Sequence, residues 1–498
     1  MKKILAILLS VFFLLCLGTV SPMASEGPAD ASPSTSDEAD VSEAYVMPRI
    51  EITTAQGNGP ELKKSDGYVS ASVVIIDTDG TELAGDVQLK VRGNSTALDS
   101  ITKKAFTVKF DKKTDVLGMG KAKKWSLLAN AFDPTMMRNY IALDFARTMG
   151  LEFTSSQRYV ELWLDNSYRG CYVLTEPVEA GSTRVDIDIE SNDGMKDFLI
   201  EKEFNRYEED VTYFVTKGIR FAVSEPEEPD NAQLQYIQTV MDDIMKTIKT
   251  GNQQEISAKI DIPSFTRYYL LNEMLKTVDF DYSSVFYYYK DGVLYCGPAW
   301  DYDLSSGNAN PAYSATAKAA YETDGVFAAG CHLYKDLCSY EWFQKEIRST
   351  YIEYYDYISS IYSQDGVIDT LLASYSDVFD RNFSDTPWAP STIWVNLQGR
   401  PLPTFSENVE FLREWYASRN NWLSDYYGLD KTEILMGDAD ASSLVSVKDA
   451  TAIQKHIASV AELTAYGRIC SEVDKDGVIS VKDATLIQKF LADIIDTL

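Results

Sequence analysis

The sequence predicts an α+β protein: a strand-rich first lobe, a helix-rich second lobe, a cleft between them, and a small helical module after residue 434. Three observations predict it. Apolar residues alternate at period two through the first half. They fall at three- and four-residue spacing through the second. The C-terminal stretch repeats itself almost word for word. The expected boundaries are 1–24, 25–47, 48–430 and 434–498.

The first two segments are punctuation rather than fold. Lys2 and Lys3 precede the apolar run Ile4 to Leu17, and small residues follow near Ala24, the pattern of a secretory signal. Residues 25–47 are rich in Ser, Pro, Ala, Asp and Glu and read as a solvated linker. The expectation is a secreted, extracellular protein with no membrane association once the signal is removed.

Strand signals start after Pro48. Val69 to Ile76 is β-branched and ends at the turn Asp77-Thr78-Asp79-Gly80. Val87, Leu89 and Val91 alternate, as do Phe106, Val108 and Phe110, so each segment buries one face. Tyr159 to Leu164 and Cys171 to Leu174 flank Asp165-Asn166 and read as a hairpin, with one helix expected around Met136 to Met149. Further on, Leu234, Ile237, Met241, Ile244 and Ile248 share one helical face that Gly251 ends. Pro263 opens a second helix running to about Thr277. Thr404 and Glu407 form a capping-box pattern ahead of Val409, Leu412, Trp415 and Leu423.

Composition narrows the chemistry. The chain has 498 residues, 45% hydrophobic, and a formal net charge of -29. That charge argues against a nucleic-acid partner, which is held by cationic side chains, and favours cations. Apart from Cys16, five scattered cysteines remain and no CxxC, which is neither a disulfide framework nor a zinc site; buried thiols are expected, with Cys331–Cys338 the one local bridge to consider. His332 and His456 are the only histidines, and neither has a nucleophile motif beside it, so Ser-His or Cys-His catalysis is disfavoured.

In the C-terminal module, Val445 to Lys455 recurs as Ile479 to Lys489. Acidic residues precede each copy at alternate positions. Asp438, Asp440, Ser442, the Leu444 carbonyl and Asp449 occupy positions 1, 3, 5, 7 and 12 of a twelve-residue loop; Glu472, Asp474, Asp476, the Val478 carbonyl and Asp483 do so in the second. Alternate oxygen ligands closed by a carboxylate at a helix start form an EF-hand-type Ca²⁺ loop. The pair resembles a type I dockerin, the calcium module that attaches enzymes to a cellulosome scaffoldin through a cohesin domain. The resemblance implies that Val447, Lys448, Val481 and Lys482 contact the cohesin, and their identity in both repeats permits two docking orientations. Ser443 replaces the usual loop glycine, Ser442 is a neutral ligand, and Glu472 is one methylene longer than Asp; these departures are expected to weaken calcium.

The stretch Pro298-Ala299-Trp300-Asp301-Tyr302-Asp303 carries the remaining chemistry. Alone it admits two readings: a core Trp with two turn carboxylates, or a metal site. What precedes it bears on the choice. Asp279 is followed five residues later by Ser284, then by the hairpin strands Val285–Tyr289 and Val293–Cys296, then by Asp301. A protein kinase has this order of parts: a base Asp, a metal-binding Asn five residues on, a hairpin, and a metal-binding Asp.

Residues from about Arg49 to Tyr427 resemble the CotH (spore-coat protein H) kinase family of atypical two-lobed secreted kinases. The matching stretches are Val91-Arg92-Gly93-Asn94-Ser95-Thr96, Lys103-Lys104-Ala105-Phe106, Asp133-Pro134-Thr135-Met136-Met137-Arg138-Asn139, Gly170-Cys171-Tyr172-Val173-Leu174-Thr175-Glu176 and Gly297 to Asp303. The resemblance implies ATP with Mg²⁺ or Mn²⁺ as cofactors. It implies Asp279 as catalytic base, with Asp281 a competitor, and Asp301, Asp303 and Ser284 at the metal. Arg92 and Lys104 would meet the phosphates, and Glu176 the nucleotide. Asp303 stays open between a second metal ligand and a turn cap; Trp300 is read as a core anchor. Ser284 stands where a kinase has Asn, and there is no GxGxxG loop. The expected function is a cellulosome-associated protein kinase acting on Ser or Thr of an extracellular protein. The competing readings are a dockerin-borne glycoside hydrolase or carbohydrate-binding component, and a non-catalytic kinase-fold adhesion or assembly module.

Overall fold

The structure of the protein, a computed structural model, describes residues 47–189, 196–203, 211–331, 333–384, 402–429, 435–440, 442, 444–461, 463, 465–492 and 494–498. The expected signal and linker up to residue 46, His332, Ser443 and the expected boundary at 430–434 lie outside them.

The strand-rich part is a closed barrel. Its strands are β1 (Arg49–Thr54), β2 (Val69–Ile76), β3 (Glu82–Arg92), β4 (Ala105–Asp115), β5 (Lys121–Leu128), β6 (Gln157–Leu164) and β7 (Ser167–Thr175), in the order β1-β2-β3-β4-β5-β7-β6. A parallel pairing of β1 with β6, Arg49 opposite Glu161, closes it. Alternating residues such as Ile50, Ile52, Leu89, Val91, Phe106, Val108, Trp125 and Leu162 fill the interior, as closure at this size requires. The expected hairpin across Asp165-Asn166 is β6–β7, with both turn residues at positive φ, 49° and 62°.

Three strands of a second sheet were not legible in the sequence, although its hairpin was. β8 (Phe198–Lys202), β9 (Tyr213–Thr216), β10 (Ile219–Glu225), β11 (Val285–Lys290) and β12 (Val293–Cys296) form it in the order β12-β11-β8-β10-β9. The hairpin ahead of Asp301 is thus β11–β12, and β11 lays Phe286 opposite Glu201 of β8. The strand-rich part is therefore a seven-stranded barrel with a separate five-stranded sheet, which corrects the expectation of one sheet-bearing lobe.

The helices follow their sequence signals. Asn231–Ile248 buries Ile237, Met241, Ile244 and Ile248, and Asp230 with Gln233 makes its capping box. Phe405–Tyr426 begins at the expected Thr404–Glu407 box. Ile262–Leu275 is buried from Phe265 almost all round, as a helix within a core must be. It ends where Lys276 turns left-handed, φ 49°, and the chain passes into a short 3-10 turn, Val278–Asp281. Among the described residues, no helix is long and apolar enough to cross a membrane. The five cysteines are free thiols, so the Cys331–Cys338 bridge is not formed.

The C-terminal repeats form helices Val447–Ile457 and Val481–Leu491, which pack on a core of their own around Ala450, Ile453, Ala484 and Ile487. Near-identical sequence gives near-identical caps. Ser446 and Ser480 each cap through a box with Asp449 and Asp483.

Candidate functional site

The barrel and the second sheet both line a cavity of about 500 Å³. It brings together Asp279, Ser284, Asp301, Asp303 and Arg92 from the sequence reading, with the turn Gly93-Asn94-Ser95-Thr96. These residues reach one place by three routes. Asp279 lies on the 3-10 turn that ends the buried helix. Ser284 precedes β11. Asp301 and Asp303 follow β12.

Two of these positions hold backbone that side chains rarely adopt. Ser284 has φ 61° and Asp301 φ 68°. Left-handed non-glycine residues cost energy and persist where the surroundings fix them, often at functional sites. Here the surroundings are explicit. Ser284 Oγ donates to Asp301 Oδ2 at 3.0 Å, and Ser284 N donates to Glu201 Oε1 at 2.9 Å. Asn139 Oδ1 accepts from Tyr302 N at 2.7 Å.

The loop after Asp301 hangs on the Asp133-to-Asn139 motif. Arg138 pairs with Asp133 at 2.5 Å, both fully buried. Its other nitrogens donate to the carbonyls of Ser305 at 3.0 Å and Ser306 at 3.3 Å. Asn308 Nδ2 ties Phe132 O to Asp303 O at 2.9 and 2.7 Å. A buried ion pair of this kind adds little net stability but holds a geometry, because breaking it strands a charge.

Carboxylates crowd around Asp303 in the cavity. Burial, with repulsion from Asp301, Asp133 and Asp279 added to it, pushes the Asp303 carboxyl well above its usual range. Crowded carboxylates of this kind are relieved by a cation, and Asp301, Asp303 and the Ser284 hydroxyl are hard oxygen donors of the type Mg²⁺ and Mn²⁺ accept. Lys64, Lys90, Arg92 and Lys124 line the cavity too, among the further carboxylates Glu179, Glu201, Glu225 and Glu227, and Lys124 pairs with Glu179 at 3.4 Å and Glu227 at 3.1 Å. Arg92 donates to Ser126 Oγ and sits 5.1 Å over the Trp300 ring. Burial works against its charge and Asp301 opposes that effect. The donor set therefore fits a metal at Asp301, Asp303 and Ser284, with the Arg92 guanidinium in the same cavity as a cation for phosphate oxygens.

Not every expected residue is here. Lys104 lies outside the cavity lining; its ammonium donates to the carbonyls of Leu98 at 2.5 Å and Ala97 at 3.2 Å, so it braces the loop after the Arg92 turn. Burial lowers its pKa. Glu176 also lies outside: it accepts from Ser156 N at 2.9 Å and faces Arg184 at 3.7 Å, and burial raises its pKa. Asp281 is turned toward Lys202, 3.8 Å away, and does not line the cavity, whereas Asp279 does. Trp300 is half-buried at the cavity wall and packs against the buried cluster of Val185, Leu199, Phe286 and Tyr288. Lys90 and Lys124 line the cavity and were not among the expected site residues; Glu201 lines it as well. A glutamate and a lysine closing the apolar strand Phe198–Lys202 are the sequence signal that marks Glu201.

The acidic repeats make two other oxygen clusters. Asp438, Asp440 and Asp449 bring one carboxylate oxygen each within 4.8 Å of one another, and so do Glu472, Asp474 and Asp476. In the first loop, Ser442 N donates to Asp438 at 2.9 Å and Ser446 N to Asp449 at 2.7 Å. In the second, Gly477 N donates to Glu472 at 2.8 Å, and Ser480 N to Asp483 at 2.8 Å. Lys482 approaches Asp474 at 2.5 Å. The carboxylates at position 12 thus serve as helix caps as well. Leu444 and Val478, at position 7, are exposed.

A family model described as CotH kinase protein matches residues 89–423, two thirds of the chain. The chain belongs to that family. The match covers the cavity lining except Lys64 and Tyr68, and stops short of the acidic repeats. A comparison with curated proteins returned no match.

Proposed function

We propose that this CotH kinase family member transfers the ATP γ-phosphate to Ser or Thr of an extracellular protein, and that it is secreted and attached to a scaffoldin cohesin by a calcium-binding dockerin. The observation that carries the kinase reading is the convergence of Asp279, Ser284 and Asp301 on one cavity that Arg92 and the Gly93–Thr96 turn also line. In this reading the barrel with its neighbouring sheet serves as the N-lobe and the helices as the C-lobe.

Each residue then has a task. Asp301, with Ser284 and Asp303, holds Mg²⁺ or Mn²⁺, which when bound neutralises phosphate charge. The Ser284 hydroxyl fixes the Asp301 carboxylate through its 3.0 Å bond. Arg92 and the Gly93–Thr96 turn face the phosphates, taking the part of a glycine-rich loop. Asp279 accepts the proton of the acceptor hydroxyl. Lys104 acts at one remove, by bracing that turn, and Glu176 is a structural residue.

The dockerin reading rests on the duplicated loops and on what they expose. Val447 and Val481, 68% and 61% exposed, stand at matching places on the two repeat helices. Apolar side chains displayed in pairs beside Lys448 and Lys482 suit a cohesin that can bind in two orientations.

The test is transfer of labelled phosphate from ATP with Mn²⁺ or Mg²⁺ by the wild type, Asp279→Ala and Asp301→Ala. Loss of transfer by at least about 10³-fold in both variants, with unfolding midpoints kept, is expected where a metal or base supplies several kcal/mol. Wild-type rates in Asp301→Ala would refute the assignment.

A further inference from the structure

Strand β8 is flanked on both sides in its sheet, by β10 and β11, and it ends in Glu201-Lys202. Both end residues reach the turn that carries Asp279. Lys202 Nζ donates to the Asp281 carbonyl and stands 3.8 Å from the Asp281 carboxylate. Glu201 Oε1 accepts from Ser284 N at 2.9 Å. Within the turn, the Asp279 carbonyl accepts from Tyr282 N at 2.7 Å and from Ser283 N at 3.0 Å. One strand end therefore grips the turn at Asp281 and again at Ser284.

The second grip falls at a demanding position. Ser284 is buried, left-handed at φ 61°, and lies one residue before β11 begins at Val285. A buried N–H needs an acceptor, and here a side chain supplies it rather than a strand carbonyl. A left-handed serine without such a hold relaxes toward the common conformations. That rotation would carry its Oγ away from Asp301 Oδ2, to which it donates at 3.0 Å. Asp301 is left-handed too, at φ 68°, and lies outside any helix or strand, so its carboxylate depends on bonds of this kind for its direction.

We infer that Glu201 is a positioning residue for Asp301, acting through Ser284; the inference rests on the kinase reading. The chain Glu201–Ser284–Asp301 sets the direction in which the Asp301 carboxylate meets Mg²⁺ or Mn²⁺. What Glu201 contributes is an acceptor oxygen at a fixed reach, not its charge. Gln keeps the reach and an amide oxygen that accepts, whereas Asp keeps the charge and falls one methylene short. The two substitutions therefore separate the positioning role from direct binding of the metal by the Glu201 carboxylate.

The experiment is calorimetric titration of ATP with Mn²⁺ into the full chain. Glu201→Gln is expected to bind within about threefold of the wild type, and Glu201→Asp at least about fivefold more weakly. In a Ser284→Ala background, where the hydroxyl link is already gone, Glu201→Asp is expected to weaken binding by less than about twofold further. Equal affinities in Glu201→Gln and Glu201→Asp, or the reverse order, overturn the positioning role alone. Losses that simply add between Glu201→Asp and Ser284→Ala overturn it too. No Mn²⁺-dependent ATP binding by the wild type overturns the kinase reading, and the role of Glu201 with it.

Discussion

The protein carries two kinds of carboxylate assembly, built in opposite ways. In the repeats, the acidic side chains are neighbours in sequence, and a loop closed by a helix cap brings them within 4.8 Å. In the cavity, Asp279, Asp301 and Asp303 come from different turns and are held by residues far away, chiefly Arg138 and Asn139. The first kind needs only local spacing to form. The second needs the barrel, the second sheet and the buried helix in register at once. Damage to the scaffold should therefore empty the cavity of function and leave the loops intact, whereas damage to the loops should stay local.

The sharpest break between the two is expected at Arg138. Arg138→Met leaves Asp133 buried and unpaired, at a cost of about 3–5 kcal/mol. Urea unfolding measures the loss, and calcium titration of the same variant should match the wild type. Next in size is calcium itself. At one hundred times its dissociation constant a ligand confined to the folded state adds about 2.7 kcal/mol. Asp438→Ala should remove the first loop's share of that gain, as read by thermal unfolding with calcium and with chelator, and leave ATP binding unchanged.

Legibility in the sequence followed the same divide. The acidic loops left a local signature: alternate spacing pointed to the groups Asp438, Asp440 and Asp449, and Glu472, Asp474 and Asp476, while Asp483 is not in the second group. Strands β1 to β4 and the capped helices were readable too, because period and caps are local. The closure of the barrel was not: β1 pairs with β6 across more than a hundred residues, and alternation does not name a partner. β8 to β10 were missed because they are short and their flanks carry charge. In the cavity, kinase-like order pointed correctly to where Asp279, Ser284 and Asp301 meet. It misplaced Lys104 and Glu176, whose buried polar ends satisfy backbone groups. Neither choice can be read from residue type.

A smaller effect is expected in the scaffold's pH dependence. Burial pushes the Lys103 ammonium down to about 7 from 10.5, while it donates to Cys171 O at 2.6 Å and Asn382 Oδ1 at 2.8 Å. Between those values the unfolded chain binds a proton that the folded chain lacks, so this residue makes stability rise with pH. From pH 7 to 9 its contribution is about 2 kcal/mol. Urea unfolding of Lys103→Met should show a slope flatter by that amount than the wild type; an equal slope would show that Lys103 stays charged. The smallest change is at Ser284. Ser284→Ala removes one bond to Asp301, about 1 kcal/mol, and should weaken Mn²⁺. Ser284→Asn should keep stability, since Asn tolerates the left-handed backbone found there, and should tighten Mn²⁺.

The central claim is that Asp301 holds a metal for a nucleotide in the cavity between barrel and sheet. Calorimetric titration of ATP into the wild type and Asp301→Asn, each with Mn²⁺ and with chelator, tests it most directly. The account predicts saturable binding by the wild type with Mn²⁺ and its loss in the other three titrations. Binding of equal strength in Asp301→Asn, or in the wild type under chelator, would contradict it.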